Sequence, residues 1–472
     1  MSFTSLWYFP FLCTAAAVYY ALDTRLKSCF LLAVSWFVYA LFGLPHFLLL
    51  LFVTVTGYLC GILTEGREKG KSLVLAAGVL IIAVVLFYYK YVDLFLSLIG
   101  TDGIFLRELT FPERHVILPA GISFYTFQSL SYMIDVYRGR KKESSFVKYA
   151  LYISFFPQLT AGPIEQAGRL IPQLEGRRAE PEDFSVGSRY LLSGCVRKFV
   201  IADYMAGYVD LVYGNVMQHS GADLLLAAVL FSVQIYCDFS GYTHIAIGSA
   251  RFLGIRLTEN FDRPYLAVGC RDFWKRWHIT LTKWFTEYLY IPMGGNRRGE
   301  RRKYVNIMAV FLLSGLWHGA NLTFLCWGAF FGIWRIAEEI AGKAVCRSNR
   351  KRTGNKNPAA VWFKRFGTFS LVSLSWVIFR SRSVPEAAEA LRRIFFLEGG
   401  TALAAGRMEL AGAAIRIGIL ALLPGMLQSR EKGEKEVMRS CYTAAVMIFL
   451  TAVCMIFMFE HGGDSSFIYF QF

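Results

Sequence analysis

Long apolar runs separated by short polar turns dominate this chain. A membrane-spanning helix needs roughly 20 mostly apolar residues, and about a dozen segments approach that length. Shorter stretches such as Ala150–Leu159 end near Pro or Gly and are typical of re-entrant or interfacial pieces. We therefore expect an all-α integral membrane protein with about a dozen transmembrane helices, forming one polytopic domain over residues 1–472. The predicted spans are Leu6–Leu22, Ser28–Leu44, His46–Thr64, Ser72–Tyr89, His115–Tyr137, Ser188–Tyr213, Leu224–Phe252, Tyr304–Ala320, Thr323–Ile340, Phe366–Phe379, Ala411–Leu427 and Tyr442–Phe459.

The basic residues lie in the turns between these runs, and their distribution predicts an orientation. Arg25 and Lys27 occupy the first turn, Pro45-His46 carries no Lys or Arg, and the next turn, Glu65–Lys71, is basic again. Basic loops stay on the cytoplasmic side of a membrane. The N-terminus is therefore expected outside the cytoplasm.

Composition agrees with a membrane protein and excludes several other classes. The chain is 55% hydrophobic and 18% charged, whereas soluble proteins are about 25% charged. Its net charge of +16 is explained by the basic turns, so we expect no nucleic-acid partner. The ten cysteines show no Cys-x-x-Cys pair and the seven histidines no ligand-like spacing, so neither a disulfide framework nor a metal site is expected.

A histidine closes the apolar run Val305–Ala320, within the sequence SGLWHG at residues 314–319. An ionisable side chain in a membrane helix is costly and usually faces a protein or aqueous interior, and a neutral imidazole there can accept a proton. Gly315 and Gly319 form a small-residue face that lets another helix approach closely. His318 is thus a candidate catalytic base, although a structural histidine bonded across helices gives the same pattern.

A second histidine, His278, lies in Asp272–Tyr290, which the periodicity predicts to be one amphipathic helix in the membrane interface. His278 falls on neither stripe of this helix, so it either serves the chemistry or orders the segment through hydrogen bonds. The apolar stripe is Phe273, Trp277, Leu281, Trp284 and Tyr288, and the polar stripe is Arg276, Thr280, Lys283 and Glu287.

Two further polar stretches break apolar runs. Tyr236–Tyr242 puts Asp238 in mid-membrane, and Phe155–Pro163 is typical of a bent re-entrant piece. Irregular backbone at membrane depth is tolerated where it lines a cavity, and transporters use the same device. These residues alone leave two classes open, an enzyme and a transporter that moves a lipid-linked or activated substrate without making bonds.

Seven short motifs follow one another along nearly the whole chain. They are LPAGISFYTFQ at 118–128, AGPI at 161–164, YCDFSGY at 236–242, DFWKRWH at 272–278, YIPMGGNR at 290–297, GLWHG at 315–319 and FIYFQF at 467–472. Taken together, and in this order, they resemble the membrane-bound O-acyltransferase family, in particular its bacterial branch of alginate O-acetyltransferase membrane subunits and teichoic-acid D-alanylation proteins. The chain departs from the family pattern at Thr286-Glu287, where Arg-Asp is common, and at His244, where Asp is common.

The resemblance implies a ring of tilted helices around a central funnel. His318 matches the family's catalytic histidine and His278 its second, supporting position. We expect further residues along the substrate path: Trp274, Asp238, Ser314, Trp317 and Asn321.

The reaction expected from this resemblance is O-acetylation of an extracytoplasmic polysaccharide, alginate-like or another exopolysaccharide, at a bacterial cytoplasmic membrane. Acetyl-CoA would be the donor substrate, no cofactor would be bound, and an extracytoplasmic partner of the SGNH-hydrolase type would help to reach the glycan. Tyr469 is a candidate acyl relay or packing anchor. The alternative within the enzyme class is D-alanyl transfer from a carrier protein to teichoic acid. Candidate contacts to donor phosphates are Arg297, Arg298, Arg301, Arg302 and Lys303, whose charge also fits a role in topology alone.

Overall fold

The computed structural model describes residues 3, 5, 7–66, 69–99, 118–160, 162–176, 180–348, 357–400 and 403–427. Within these ranges the regular secondary structure is entirely helical. The prediction of an all-α protein is therefore confirmed. The chain divides into two compact units, unit 1 (residues 1–196, 241–258 and 423–471) and unit 2 (residues 197–240, 259–422 and 472).

Unit 1 is built from the first eight helices together with the end of the tenth. Polar contacts join elements that are distant in sequence: the Tyr8 hydroxyl donates to Ser249 Oγ at 2.7 Å, and Arg251 donates to the Asp183 carboxylate at 2.7 Å. The helices are α1 Tyr8–Ala21, α2 Thr24–Ala40, α3 Leu44–Thr64, α4 Lys71–Ile99, α5 Ile122–Tyr137, α6 Phe146–Ser154, α7 Ala167–Leu170 and α8 Pro181–Cys195.

Unit 2 carries the two histidines singled out above. The long helix α10 begins in this unit and passes into unit 1 after Ser240, and two turns of π-helix, Val196–Ala202 and Thr286–Tyr290, interrupt the α-helical pattern. The helices are α9 Asp203–Gly214, α10 Gly221–Phe252, α11 Cys270–Arg276, α12 Ile279–Phe285, α13 Glu300–His318, α14 Leu322–Ser348, α15 Pro358–Arg380, α16 Val384–Phe396 and α17 Arg407–Leu427.

Three helices in the described part of the chain are long and apolar enough to cross a bilayer. They are Leu44–Thr64, Lys71–Val92 and Gly221–Phe252. The last is buried over 83% of its most apolar stretch, as expected of a helix that is apolar on all sides. The chain is thus an all-helical membrane protein; the number of spans stays a prediction.

Two of the predicted membrane spans differ from the observed helices by more than a few residues. Ser188–Tyr213, predicted as one helix, is divided into α8, a π-helical turn and α9. His115–Tyr137 begins at Ile122 in the described part, and its first residues lie outside the described ranges. The predicted span Tyr442–Phe459 also lies outside them.

Candidate active site

His318 is the last residue of α13, and its imidazole is 4% exposed. Three aromatic rings surround it, with centroids at 4.9 Å for Trp317, 5.1 Å for Trp327 and 5.3 Å for Phe379. These rings belong to α13, α14 and α15, so three helices converge on one imidazole. Such an enclosure limits the access of water and strengthens any polar interaction that the ring makes.

The small residues before His318 bring α14 against α13. A Cβ atom on Gly315 would lie 2.2 Å from the Phe324 carbonyl oxygen, and one on Gly319 would lie 2.3 Å from the Phe324 ring. Only glycine permits this approach, as the sequence predicted. Because the two helices are in backbone contact one turn from His318, the imidazole stands on a rigid hairpin.

His278 occupies a break between α11 and α12. The predicted single helix Asp272–Tyr290 is therefore wrong: α11 ends at Arg276, and His278 has a left-handed backbone with φ of 42°. Non-glycine residues adopt this conformation rarely, and it costs of the order of 1–3 kcal/mol. The periodicity still identified the buried side, since Phe273, Trp277 and Leu281 are all buried.

The preceding segment braces this break through Asn260. The Asn260 carbonyl accepts from the backbone N–H of Ile279 at 3.0 Å, and its Oδ1 accepts from the Thr280 hydroxyl at 2.7 Å. Asp262 N–H also donates to the Arg276 carbonyl at 2.9 Å. Thr280, assigned by the pattern to a solvent-facing stripe, is instead buried because Asn260 provides its partner.

The Trp317 indole lies between the two histidines. Its ring centroid is 5.8 Å from that of His278 and 4.9 Å from that of His318. His278 is 1% exposed and Trp317 is 5% exposed. The structure therefore brings together three residues that the sequence had placed in two separate motifs.

A cavity of about 520 Å³ lies beside this group, within the usual range for small-molecule sites. Its wall includes the predicted path residues Trp274 and Ser314. Ser314 stands one turn before His318 on α13, and the Trp274 ring is 5.7 Å from Trp327, which contacts His318. This part of the wall, the inner end of the cavity, thus lies near His318: Ser314 by one helical turn, and Trp274 through the Trp327 ring.

Four cationic side chains and one carboxylate line the same cavity: Arg271, Lys275, Lys303, Arg335 and Glu339. Lys303 and Arg335 both pair with Glu339, the latter at 2.8 Å. Arg271 and Lys275 are exposed and form no ion pair with the described residues. Along α13, Lys303 and Ser314 are eleven positions apart, or about 16 Å of helix, whereas Arg271 and Lys275 lie on α11 together with Trp274.

The remaining predicted residues occupy other places. Asn321 caps α14 by accepting from Thr323 N–H at 3.1 Å and donates to the Arg382 carbonyl at 2.8 Å, which fixes the turn after His318. Asp238 is buried on α10 and pairs with Lys198 at 2.6 Å. Tyr469 lies outside the described residues. Of the candidates for donor phosphates, Lys303 lines the cavity, whereas four are exposed and stand outside its wall, namely Arg297, Arg298, Arg301 and Arg302.

Of the four cavity cations, only Lys303 was predicted from the sequence, and two rings around His318 were not predicted. Lys275 lies in the segment Asp272–Tyr290 and Arg271 directly before it, and their spacing of four residues was a signal that both share one helix face. Arg335 is an ionisable residue inside the predicted span Thr323–Ile340, a signal of the same kind as that of His318. No comparable signal exists for Trp327 and Phe379, because only tertiary packing brings these rings to the site. Among the described residues no group of three His, Cys, Asp or Glu side chains could hold a metal ion.

An all-helical membrane protein with two buried imidazoles beside a cation-lined cavity has the parts of a membrane-embedded enzyme that acts on an anionic substrate. An imidazole can move a proton, and the cations can hold phosphate or carboxylate. The comparison with known families agrees: residues 75–379 match the membrane-bound O-acyltransferase family. The chain belongs to this family.

Curated relatives cover most of the chain. The "Probable alginate O-acetylase AlgI" of Pseudomonas syringae pv. tomato is 34% identical over 436 residues, covering 90% of this chain and 82% of the relative. The "Peptidoglycan O-acetyltransferase" of Helicobacter pylori is 33% identical over 431 residues, 84% of this chain and 80% of the relative. The "Teichoic acid D-alanyltransferase" of Streptococcus thermophilus is 26% identical over 279 residues, 55% of this chain and 67% of the relative.

These findings confirm the resemblance and the class of enzyme predicted from the motifs. The protein is a membrane O-acyltransferase, and its relatives transfer acyl groups to polysaccharide or teichoic acid. The enzyme is thus favoured over the transporter that the isolated polar stretches had left open.

Proposed function

We propose that this protein takes an acetyl group from acetyl-CoA and passes it on for O-acetylation of an extracytoplasmic polysaccharide, with His318 as general base. The observation that carries the proposal is the cavity with cations in one part of its wall and Ser314, one turn from His318, in another. Acetyl is preferred because the relatives that cover most of the chain carry names for O-acetyl transfer to alginate and peptidoglycan.

The donor would lie along this cavity. Arg271 and Lys275 would meet the phosphates of CoA, since guanidinium and ammonium groups form charge-assisted hydrogen bonds with phosphate oxygens. The thioester would then reach the inner end, where Trp274 and Ser314 approach His318.

The chemistry would be one displacement at the thioester carbonyl. Neutral His318 takes the proton of an acceptor hydroxyl as its oxygen attacks the carbonyl carbon, forming a C–O bond. Collapse of the tetrahedral intermediate breaks the C–S bond, and the CoA thiolate leaves and receives a proton. Trp317 and His278 would hold the base in place, because their rings pack in series against it.

The decisive experiment uses the full-length protein in nanodiscs with radiolabelled acetyl-CoA. His318→Ala should lower thioester cleavage about 10²–10⁴-fold, the usual contribution of a general base, while acetyl-CoA binding persists. His46→Ala is the matched control, because in the described part of the chain that histidine, at the start of α3, bonds the Phe42 carbonyl and no catalytic candidate. Undiminished turnover in His318→Ala would remove His318 from the role of base.

A second experiment decides which cations bind the donor. Arg271→Gln removes a cavity cation that has no competing ion pair, so the KM for acetyl-CoA should rise about tenfold, as for loss of a charged hydrogen bond. Arg301→Gln, an exposed arginine outside the cavity wall, should leave the KM unchanged. The reverse result would assign the phosphates to the arginine cluster that precedes and begins α13.

The acceptor and partner follow from the same proposal. A glycan outside the cytoplasm requires the acyl group to cross the membrane, so we place the protein in a bacterial cytoplasmic membrane with an extracytoplasmic SGNH-type acetyltransferase as partner. Tyr469 remains a candidate relay on this route; full glycan acetylation by Tyr469→Phe would exclude it.

A carrier-protein donor is the second candidate, favoured by the likeness to teichoic acid D-alanyltransferase over 55% of this chain. Both donors carry a thioester on a phosphopantetheine arm, so the cavity suits either. Cleavage of a D-alanyl carrier-protein thioester, with no cleavage of acetyl-CoA, would replace the first proposal by this one.

A further inference from the structure

Four charged side chains are gathered in the interior of unit 2, away from the cavity wall. Lys198 pairs with Asp238 at 2.6 Å and with Asp203 at 2.9 Å, and the Lys198 and Asp238 side chains are only 2% and 3% exposed. Arg197, also buried, donates from Nη1 to Ser240 Oγ at 2.8 Å. A buried ion pair is often no more stabilising than apolar residues of the same size. Its presence here therefore calls for an explanation other than stability.

The local backbone explains how two consecutive cations reach the same helix. Arg197 and Lys198 lie in the π-helical turn Val196–Ala202, which widens the helix and changes the direction of its side chains. Both side chains then contact α10 within one turn: Lys198 at Asp238, and Arg197 at Ser240 and over the Tyr236 ring, 5.3 Å from its centroid. One turn of α10 is thus fixed at three points.

The same turn of α10 supports the break that carries His278. The Phe239 ring lies 4.7 Å from the His278 ring, edge to face. The Tyr236 ring lies 6.2 Å from that of Trp277, and both Phe239 and Tyr236 contact Phe261, at 5.1 and 5.7 Å. The turn of α10 that carries the polar contacts therefore also packs against the break, with Tyr236 on Trp277 and Phe239 on His278.

We propose that Arg197, Lys198, Asp238 and Ser240 form a positioning cluster that holds His278 in its left-handed conformation beside Trp317. None of the four is among the described residues that line the cavity, so we assign them a positioning role and not a catalytic one. The inference rests on the proposed function for its effect on rate. Its structural part, the placement of His278, stands independently of which acyl donor is used.

The test compares two variants, each of which neutralises one of the two carboxylates that pair with Lys198. Asp238→Asn breaks the contact between Lys198 and α10, whereas Asp203→Asn removes the other partner of Lys198 and leaves α10 in place. Carbethoxylation of each histidine by diethyl pyrocarbonate, quantified by mass spectrometry, reports the protection of His278 and requires no turnover. His244, buried in unit 1 and bonded to Ser193 Oγ at 3.2 Å, reports loss of the fold.

We expect His278 to react several-fold faster in Asp238→Asn, with His244 still protected, and both histidines to stay protected in Asp203→Asn. The kcat for acetyl transfer should fall about 10²-fold in Asp238→Asn, as for a misplacement of about 1 Å at a reacting centre. The KM for acetyl-CoA should stay within twofold, because the donor cavity is untouched. Equal effects of the two aspartate variants would overturn the inference, since they would indicate a need for charge balance alone.

A milder variant applies if Asp238→Asn also exposes His244. Ser240→Ala removes one hydrogen bond of Arg197 and no charge, and it should still raise the reactivity of His278. Unchanged labelling of His278 in this variant would contradict the inference. If the wild-type protein fails to cleave acetyl-CoA, the proposed function fails, yet the labelling of His278 still decides the positioning role.

Discussion

The backbone of His278 is a residue-scale feature with a measurable cost. Only Arg263, His278 and Leu397 have positive φ among the non-glycine residues in the described ranges. Of these, His278 alone is buried with its ring against both Phe239 and Trp317. A glycine would suit this backbone better, so the imidazole is held there at the expense of conformational strain.

Two substitutions separate the ring of His278 from its backbone. His278→Ala and His278→Gly both remove the imidazole, but only glycine relieves the left-handed strain. We expect the free energy of unfolding of the glycine variant to be about 1 kcal/mol higher than that of the alanine variant, so the glycine variant is the more stable one. Both should lose most acetyl transfer.

Thermal unfolding of the two proteins in one detergent gives the comparison. A lower Tm for the glycine variant would mean that the strain assigned to this position is not present in the folded enzyme.

The sequence identified the two candidate histidines, but it did not identify the side chains that pack around them. His318 was found because an ionisable group in an apolar run is unusual, and His278 because it fits neither stripe of its segment. The rings of Trp327 and Phe379 sit in ordinary apolar runs, where nothing distinguishes them from core residues. Their place around His318 depends on how α14 and α15 fold back on α13.

At the scale of elements, the hairpin of α13 and α14 depends on glycine contacts. Gly315→Ala would place a methyl group 2.2 Å from the Phe324 carbonyl oxygen, a backbone atom that cannot move alone. The helices must separate, and we expect a loss of about 1–3 kcal/mol of stability. Since His318 lies one turn away, acetyl transfer should fall as well.

Gly367→Ala on α15 is the matched control, because a Cβ there meets no atom within 4 Å. Alanine in an open helical position stabilises by about 0.5–1 kcal/mol, so this variant should match or exceed the wild type in Tm. A similar loss in both variants would show that glycine acts here through flexibility and not through helix contact.

Element boundaries were predicted well where apolar runs are uniform and poorly where the helix changes type. The span predicted at His46–Thr64 is observed as Leu44–Thr64. The segment Asp272–Tyr290 keeps its 3.6-residue pattern across the break at His278, because one left-handed residue leaves the buried side unchanged. Periodicity therefore located the buried face and missed the break, and it likewise missed the π-helical turn Val196–Ala202.

At the scale of the whole molecule, the basic turns predict a sidedness that labelling can measure. His46→Cys should react with a membrane-impermeant maleimide applied to intact cells, because the second turn lacks Lys and Arg. Lys69→Cys, in the basic turn Glu65–Lys71, should react only after the cells are opened. Labelling of the wild-type cysteines is subtracted from both.

The opposite labelling pattern would invert the orientation of the first three helices and place the N-terminus in the cytoplasm. Helix count and the side on which the chain ends are less accessible to sequence reasoning, since the later apolar runs are interrupted. Family membership, in contrast, was readable from seven short motifs because they recur in order over most of the chain.

Glu339, in the cavity wall, competes with an anionic ligand for two of the cavity's cations. Lys303 and Arg335 are already paired with this carboxylate. The free energy that an anionic ligand gains from these two cations is therefore only the difference between its own interaction with them and that of Glu339. At these two cations binding becomes an exchange of counter-ions, whereas Arg271 and Lys275 form no ion pair with the described residues that would have to be exchanged. The same exchange favours release of the CoA product, because Glu339 pairs again with Lys303 and Arg335 as the anion leaves. The arrangement therefore suits repeated turnover better than tight binding.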